Sequence, residues 1–298
     1  MGMRKNWKMV YKSQREWGWP IAIEVFCGGT AGGVYMISVL PYLVFGGRIF
    51  LTGVFASLVL VLICVFGLIT DSTSGWRVPR AFFNIKSPLA VGAISLSLLI
   101  IFSIATAGIM YTGLVTGALY IVVWLGVTVS FLTIIYPGVL MGLMKAIPFW
   151  SGSGPSLLLL SASLVSGSAV VTLVGGPGHV NFNLSRLTLW LLVIYGLFLL
   201  IYIIIAGQGS KAAQISVRQL IKGNLFFMFV IGVIAIGLVV PFVLYIMDII
   251  SSSAPLLQVG SGLILIGGIL MRYSLIASGV KMPMLSEDSI SATYWVYH

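Results

Sequence analysis

Long apolar runs recur along the whole of this chain, and they leave few choices of fold. A stretch of about 20 apolar residues rising about 1.5 Å per residue crosses roughly 30 Å of hydrocarbon, and in lipid a helix satisfies its own backbone hydrogen bonds. Only 7% of the 298 residues are charged while 59% are hydrophobic, against about a quarter charged in a soluble domain. Such a chain cannot cover itself for water. The expected fold is an all-α integral membrane protein with eight transmembrane helices in two four-helix bundles, with no room left for a soluble catalytic domain.

The runs occupy 21–45, 49–70, 89–111, 114–141, 156–175, 184–207, 225–248 and 257–280. They predict a basic N-terminal segment at 1–20, a first bundle at 21–141, a linker loop at 142–155, a second bundle at 156–280 and a polar tail at 281–298. Gly, Pro and Ser mark the breaks. GGR turns the chain at 46–48, the polar loop DSTSGWRVPRAFFNIKSP begins at Asp71, KAIPFWSGSGP separates the halves, and GGPGHVNFN precedes run six. The tight turn near Tyr111 to Gly113 makes runs three and four an antiparallel hairpin. QGSKAAQISVRQLIKGN at 208–224 is polar and basic, with the spacing of a short interfacial helix. The first run has no small-residue cleavage pattern and reads as a retained span.

Eight spans put both termini on one side of the membrane, and the charges then sort between the sides. Fourteen of the 16 Lys and Arg fall on the terminal side, leaving Arg48 and Arg186 on the other. By the positive-inside rule the terminal side is cytoplasmic. On a chain this apolar, the net charge of +10 points to anionic lipid or an acidic protein partner and away from nucleic acid.

Small residues inside the runs, GGTAGG at 28–33 and Gly260, Gly262, Gly267 and Gly268, let helix backbones approach one another. GGTAGG lies within a span, so it is not a dinucleotide fingerprint. Cys27 and Cys64 also lie inside runs, too far apart for a CxxC pair, and read as small hydrophobes. No metal site is expected. The two histidines, His179 in a loop and His298 at the terminus, cannot face one another across helices, which excludes a bis-histidine b-type haem. There is no Walker loop, HExxH or GxSxG motif.

A charged side chain within the hydrocarbon costs at least about 2.5–3.5 kcal/mol on insertion scales, so each one needs a reason. Glu24 lies one turn into run one, Asp71 closes run two, Arg77 and Arg80 follow it, Tyr136 lies near the end of run four, and Arg272 lies about two turns from the end of run eight. With alternating span directions, all of them reach the terminal-side boundary. A carboxylate beside a tyrosine hydroxyl and an arginine can bind a carbonyl head group and move its protons, which is the chemistry a quinone requires. The plainer alternative has Asp71 with Arg77 or Arg80 capping helix ends, Glu24 snorkelling to the interface and Arg272 neutralising one of the acids. Asp248, at the end of run seven on the opposite side, reads as interfacial.

Three passages resemble the NrfD-like family, the membrane subunit of polysulfide reductase and related respiratory molybdoenzyme complexes. They are CGGTAGGVYMISVL at 27–40, Asp71 with the following WRVPRAFFNIKSP, and YPGVLMGLMKAIPFW at 136–150; GGILMRYSLIASG at 267–279 is similar to the family's last helix. The family loop usually reads Asp-x-Gly-Arg-Pro, where this chain has DSTSGWRVP. The resemblance implies a haem-free subunit in a prokaryotic plasma membrane that oxidises or reduces a menaquinone or ubiquinone. Electrons would pass to or from an iron–sulfur subunit and through it a molybdopterin catalytic subunit, so the clusters and molybdopterin lie in the partners. Terminal-substrate chemistry is theirs as well. On this basis Glu24, Tyr136, Asp71, Arg77 and Arg272 are candidate quinone-binding residues, and Arg80, Lys86, Lys145 and Arg218 candidate docking residues. In better-known members the iron–sulfur partner docks on the outer face, whereas the charges here place the same end in the cytoplasm. A secondary transporter of a small solute is the alternative, and a scaffold without a ligand a third.

Overall fold

A computed structural model describes residues 11–71, 88–112, 116–175, 184–251 and 254–282. Eight of its helices are long and apolar enough to cross a membrane. In chain order the helices are α1 Trp19–Phe45, α2 Leu51–Asp71, α3 Pro88–Thr112, α4 Thr116–Gly142, α5 Gly154–Gly175, α6 Leu184–Gln208, the short α7 Lys211–Lys222, α8 Phe227–Ser251 and α9 Ala254–Ala277. The predicted runs match the eight long helices to within a few residues, and α7 falls on the predicted interfacial segment.

Local chemistry sets the ends of these elements. Pro20 sits in the first turn of α1, where its missing N–H would have no helical partner. The helix stops at Gly46, whose φ of 62° only glycine adopts freely. Gly46 N–H then reaches the Tyr42 carbonyl and Gly47 N–H the Pro41 carbonyl, closing a left-handed glycine cap on the predicted GGR. Ser210 caps α7 by accepting from the Ala213 amide. The first half of α8, Phe227–Val239, winds in wide π turns before reverting to α at Val240.

Contacts between spans run in two circuits. α1 packs on α2, α2 on α3, α3 on α4, and α4 returns to α1; α5 packs on α6, α6 on α8, α8 on α9, and α9 returns to α5. One large apolar core lies among the first four spans and another among the last four. The circuits are fused through α1 and α5, and α4 and α9 also reach across. Consequently α1 and α5 are largely covered by other helices, while α2, α3, α6 and α8 turn most of their surface outward. The outward side chains are apolar, Phe55, Phe66, Ile101, Trp190 and Ile205 among them, as lipid requires.

Two interleaved glycine pairs let α1 be shared. Gly28 and Gly32 face the first circuit, against Cys64 and Leu96 and against Ile134 and the Ser130 carbonyl. Gly29 and Gly33 face α5, where a Cβ on Gly33 would collide with the Ser163 carbonyl and one on Gly167 with the Gly33 backbone. Each pair has the spacing at which small residues line one helix face. Gly237 and Gly267 make a similar crossing of α8 and α9.

The segments flanking the spans build an ordered face. Strand β1, Lys12–Ser13, pairs antiparallel with β2, Val280–Lys281, so the N-terminal segment and the end of α9 share one side. The last turn of a helix leaves carbonyls without intrahelical donors. Here Trp150 Nε1 donates to the Leu275 carbonyl at 2.8 Å and Gln14 Nε2 to the Ile276 carbonyl at 2.9 Å. Trp17 stacks on Trp150, Trp19 stacks on Tyr273, and the Tyr202 hydroxyl donates to the Phe149 carbonyl at 2.6 Å. Gln219 on α7 reaches Ser13.

Candidate functional site

At the mouth of the first circuit, on the side of this ordered face, each of the four helices contributes to one cluster. Glu24 is five residues into α1, about 7.5 Å from its start at 1.5 Å per residue. Its side chain lies against α2 at Gly67, where an added Cβ would meet Glu24 Cγ at 3.0 Å and Oε1 at 3.4 Å. Cys64, one turn before Gly67, donates its thiol to the Glu24 carbonyl at 3.3 Å. On α4, Tyr136 lies six residues before the end of the helix, and its ring fills the space that Gly92 of α3 leaves open. Tyr136 is within electrostatic reach of both Glu24 and Cys64. Antiparallel packing brings these residues to one depth, because Gly67 and Gly92 each stand four residues from the corresponding ends of α2 and α3.

A hairpin device holds Tyr136 in place. Pro137 removes one backbone rung immediately after it. Gly138 then lets α4 approach the backbone of Ser156 at the start of α5, where a side chain would clash. Glu24 and Tyr136 are both half-buried, so the cluster is partly open. Its groups are a carboxylate, a phenol and a thiol, with Glu24 laid over Gly67 and the Tyr136 ring over Gly92. These can donate to a carbonyl oxygen and exchange a proton with it.

Arg272 stands on the other side of α1. Its guanidinium donates through Nη1 to the Gly268 carbonyl and through Nη2 to Ser163 Oγ, both at 2.9 Å, and lies 5.0 Å from the centre of the Phe26 ring. Phe26 and Gly29, which it touches, point away from the Glu24 face of the helix. The expected neutralisation of an acid by Arg272 is therefore not the arrangement among the described residues, where its partners are uncharged. Asp71 is the last residue of α2, one turn beyond Gly67. Arg77, Arg80 and Lys86 lie outside the described residues, as do His179 and His298. Lys145 and Arg218 are exposed on the ordered face, Lys145 on the rim of a cleft of about 280 Å³ that Gln14, Glu16, Trp17, Trp150 and Lys281 also line. Asp248, three residues from the end of α8, is covered by the protein, 8% exposed, and accepts from Ser185 Oγ at 3.1 Å. No group of three His, Cys, Asp or Glu side chains that could hold a metal occurs among the described residues.

Eight spans, a glycine-lined first helix shared by both circuits and a Tyr-Pro-Gly turn at the cluster form one framework. The model of one family, described as polysulphide reductase, NrfD, matches residues 9–283. This chain belongs to the NrfD family. The match takes in all eight spans and both sides of the cluster, so it covers the whole framework and not a shared motif. A comparison with curated proteins finds no match. Membership makes the chain a multi-pass membrane protein of the polysulphide reductase kind, in agreement with its eight apolar helices.

Sequence reasoning missed Cys64, Gly67 and Gly92 in the cluster and Gln14, Trp17 and Trp150 on the face. The two glycines carried a signal: each lies one turn inside its run at the depth of Glu24. The face residues carried none, because their partners, backbone carbonyls for Gln14 and Trp150 and the Trp150 ring for Trp17, lie more than a hundred residues away.

Proposed function

We propose that this protein is a quinone-reactive membrane subunit that oxidises or reduces a quinone, of the menaquinone type, and exchanges electrons with an iron–sulfur subunit of a molybdopterin oxidoreductase complex. The observation that carries this is the convergence of Glu24 and Tyr136, from two helices, at one depth of the first circuit. A quinone supplies a reversible two-electron, two-proton carbonyl chemistry within the membrane. Its paired carbonyl oxygens suit these groups. In this reading the Tyr136 hydroxyl donates to a carbonyl oxygen and orients the ring. The Glu24 carboxyl gives or takes the proton that accompanies electron transfer. Asp71 and Arg77, which follow Gly67 along the chain, are further quinone-binding candidates by sequence. Arg272, enclosed behind α1, contributes charge without direct contact with the ring.

Arg80 and Lys86 are docking candidates by sequence, and the ordered terminal-side face, with exposed Lys145 and Arg218, is the docking surface for the iron–sulfur subunit. Its basic character fits an acidic partner. The test is purification of the complex in mild detergent with extraction of bound quinone, followed by Glu24→Gln and Tyr136→Phe. Loss of an acid–base group costs about 10²–10⁴ in rate, so quinone-linked turnover should fall by about that much in E24Q with assembly intact. Normal turnover in both variants sinks the assignment. Solute uptake by the isolated protein in vesicles, with no quinone bound, would turn the function to transport.

A further inference from the structure

Arg272 is shut wholly inside the helices, 0% exposed, yet everything that holds it is neutral. The Gly268 carbonyl, Ser163 Oγ and the Phe26 ring face take up part of the guanidinium. Among the described residues no carboxylate lies within ion-pairing distance of it; the ion pair found there is Lys281 with Glu16. A charge held in so apolar a setting by neutral groups calls for every one of its donors to be met.

Two donors at this place are not met within the described protein. Arg272 Nε and the Tyr195 hydroxyl are both buried without a hydrogen-bond partner, and Tyr195 is 5% exposed. The two groups lie within electrostatic reach of one another. Glycines flank the guanidinium on two helices: a Cβ added at Gly29 would stand 3.4 Å from Nη2, and one at Gly268 3.4 Å from Nη1 and 3.1 Å from Phe26. Side chains are thus kept out of the space beside the charge, and Ser166 Oγ also faces Gly268.

We infer that the seam of α1, α5, α6 and α9 is a binding site for one small hydrogen-bond acceptor, a halide ion or a water molecule, held by Arg272 Nε and the Tyr195 hydroxyl. Both groups donate, so they converge on an acceptor and not on a cation. A halide also answers the guanidinium charge; a water passes its own protons to a nearby serine oxygen. Lysine cannot replace Arg272 here, because the planar fork serves Gly268, Ser163 and the bound acceptor at once. The site lies across α1 from the Glu24 cluster, and the inference does not rest on the quinone reading.

The test uses the full-length protein in detergent, without a turnover assay. Thermal stability is followed in chloride, in bromide and in gluconate at constant ionic strength, for the native chain and for Tyr195→Phe, and a map that resolves ordered solvent is recorded. A saturable halide response, weakened at least about tenfold in affinity by Y195F as loss of a hydrogen bond to a charged group implies, assigns a halide. Indifference to halide, with density between Nε and the hydroxyl that Y195F removes, assigns a water. A halide response that Y195F leaves unchanged overturns the site, and so does indifference with no density there. Should Y195F fail to fold, the map of the native chain decides alone: density between Nε and the hydroxyl upholds the site, and none there overturns it.

Discussion

Tyr136 owes its position to a side chain that its neighbour lacks. The ring occupies the space over Gly92, so a single methyl on α3 would displace it. Gly92→Ala should therefore lower quinone-linked turnover by at least about tenfold through misplacement of the reacting group, while the chain still inserts and binds its partners. Turnover of the purified complex measures this, and unchanged turnover would remove Tyr136 from the reaction. The sequence displays Glu24 plainly, since a carboxylate in an apolar run has few ordinary explanations. It hides Gly67 and Gly92, because a glycine within a span looks the same whether it admits a helix or a ring. Arg272 is visible as a charge, but its neutral surroundings depend on Ser163, Phe26 and Tyr195, which come from three other helices. Trp150 is hidden in a similar way: its partner is the Leu275 carbonyl. Trp150→Phe should cost about 0.5–1.5 kcal/mol, the net worth of one hydrogen bond, since the Leu275 carbonyl keeps Ser278 Oγ as a donor, read as a drop in thermal stability with the electron-transfer rate unchanged at low temperature.

At the scale of elements, span number and position follow from apolar length, a property each run carries by itself. Packing order is a property of pairs, and the contacts run as two circuits fused through α1 and α5. GGTAGG reads correctly as packing, yet only the partners reveal that alternate glycines serve different circuits. Gly33→Ala should destabilise the protein by about 1–3 kcal/mol or more, as overpacking of a close backbone crossing does. Gly262→Ala, where an added Cβ meets nothing within 4 Å, should be close to neutral. Comparison of the two melting temperatures in detergent checks the argument; equal losses would show that α1 and α5 do not cross at Gly33 and Gly167. The π-wound half of α8 has no mark in the apolar pattern, since its residues are as hydrophobic as those of any other span.

For the whole molecule, charge distribution carries the docking argument. Lys145→Glu with Arg218→Glu should slow association with the partner subunit by about tenfold at low salt and by much less at high salt, as screened steering requires. Binding rates at two ionic strengths test this, and rates that ignore the reversal would place docking elsewhere. The ordered face itself imposes a schedule on biosynthesis. Gln14 and Ile276 are 262 positions apart, and β1 gains its ladder only from β2. The residues before α1 leave the ribosome ahead of the spans, and Trp150 and Gln219 can meet them before α9 is made, but the Ile276 carbonyl and the β2 strand that fix them come only at the end of the eighth span and after it. A nascent chain stalled before α9 therefore keeps its leading segment open to proteases and chaperones, and closure of that segment reports that translation and insertion have run to the end.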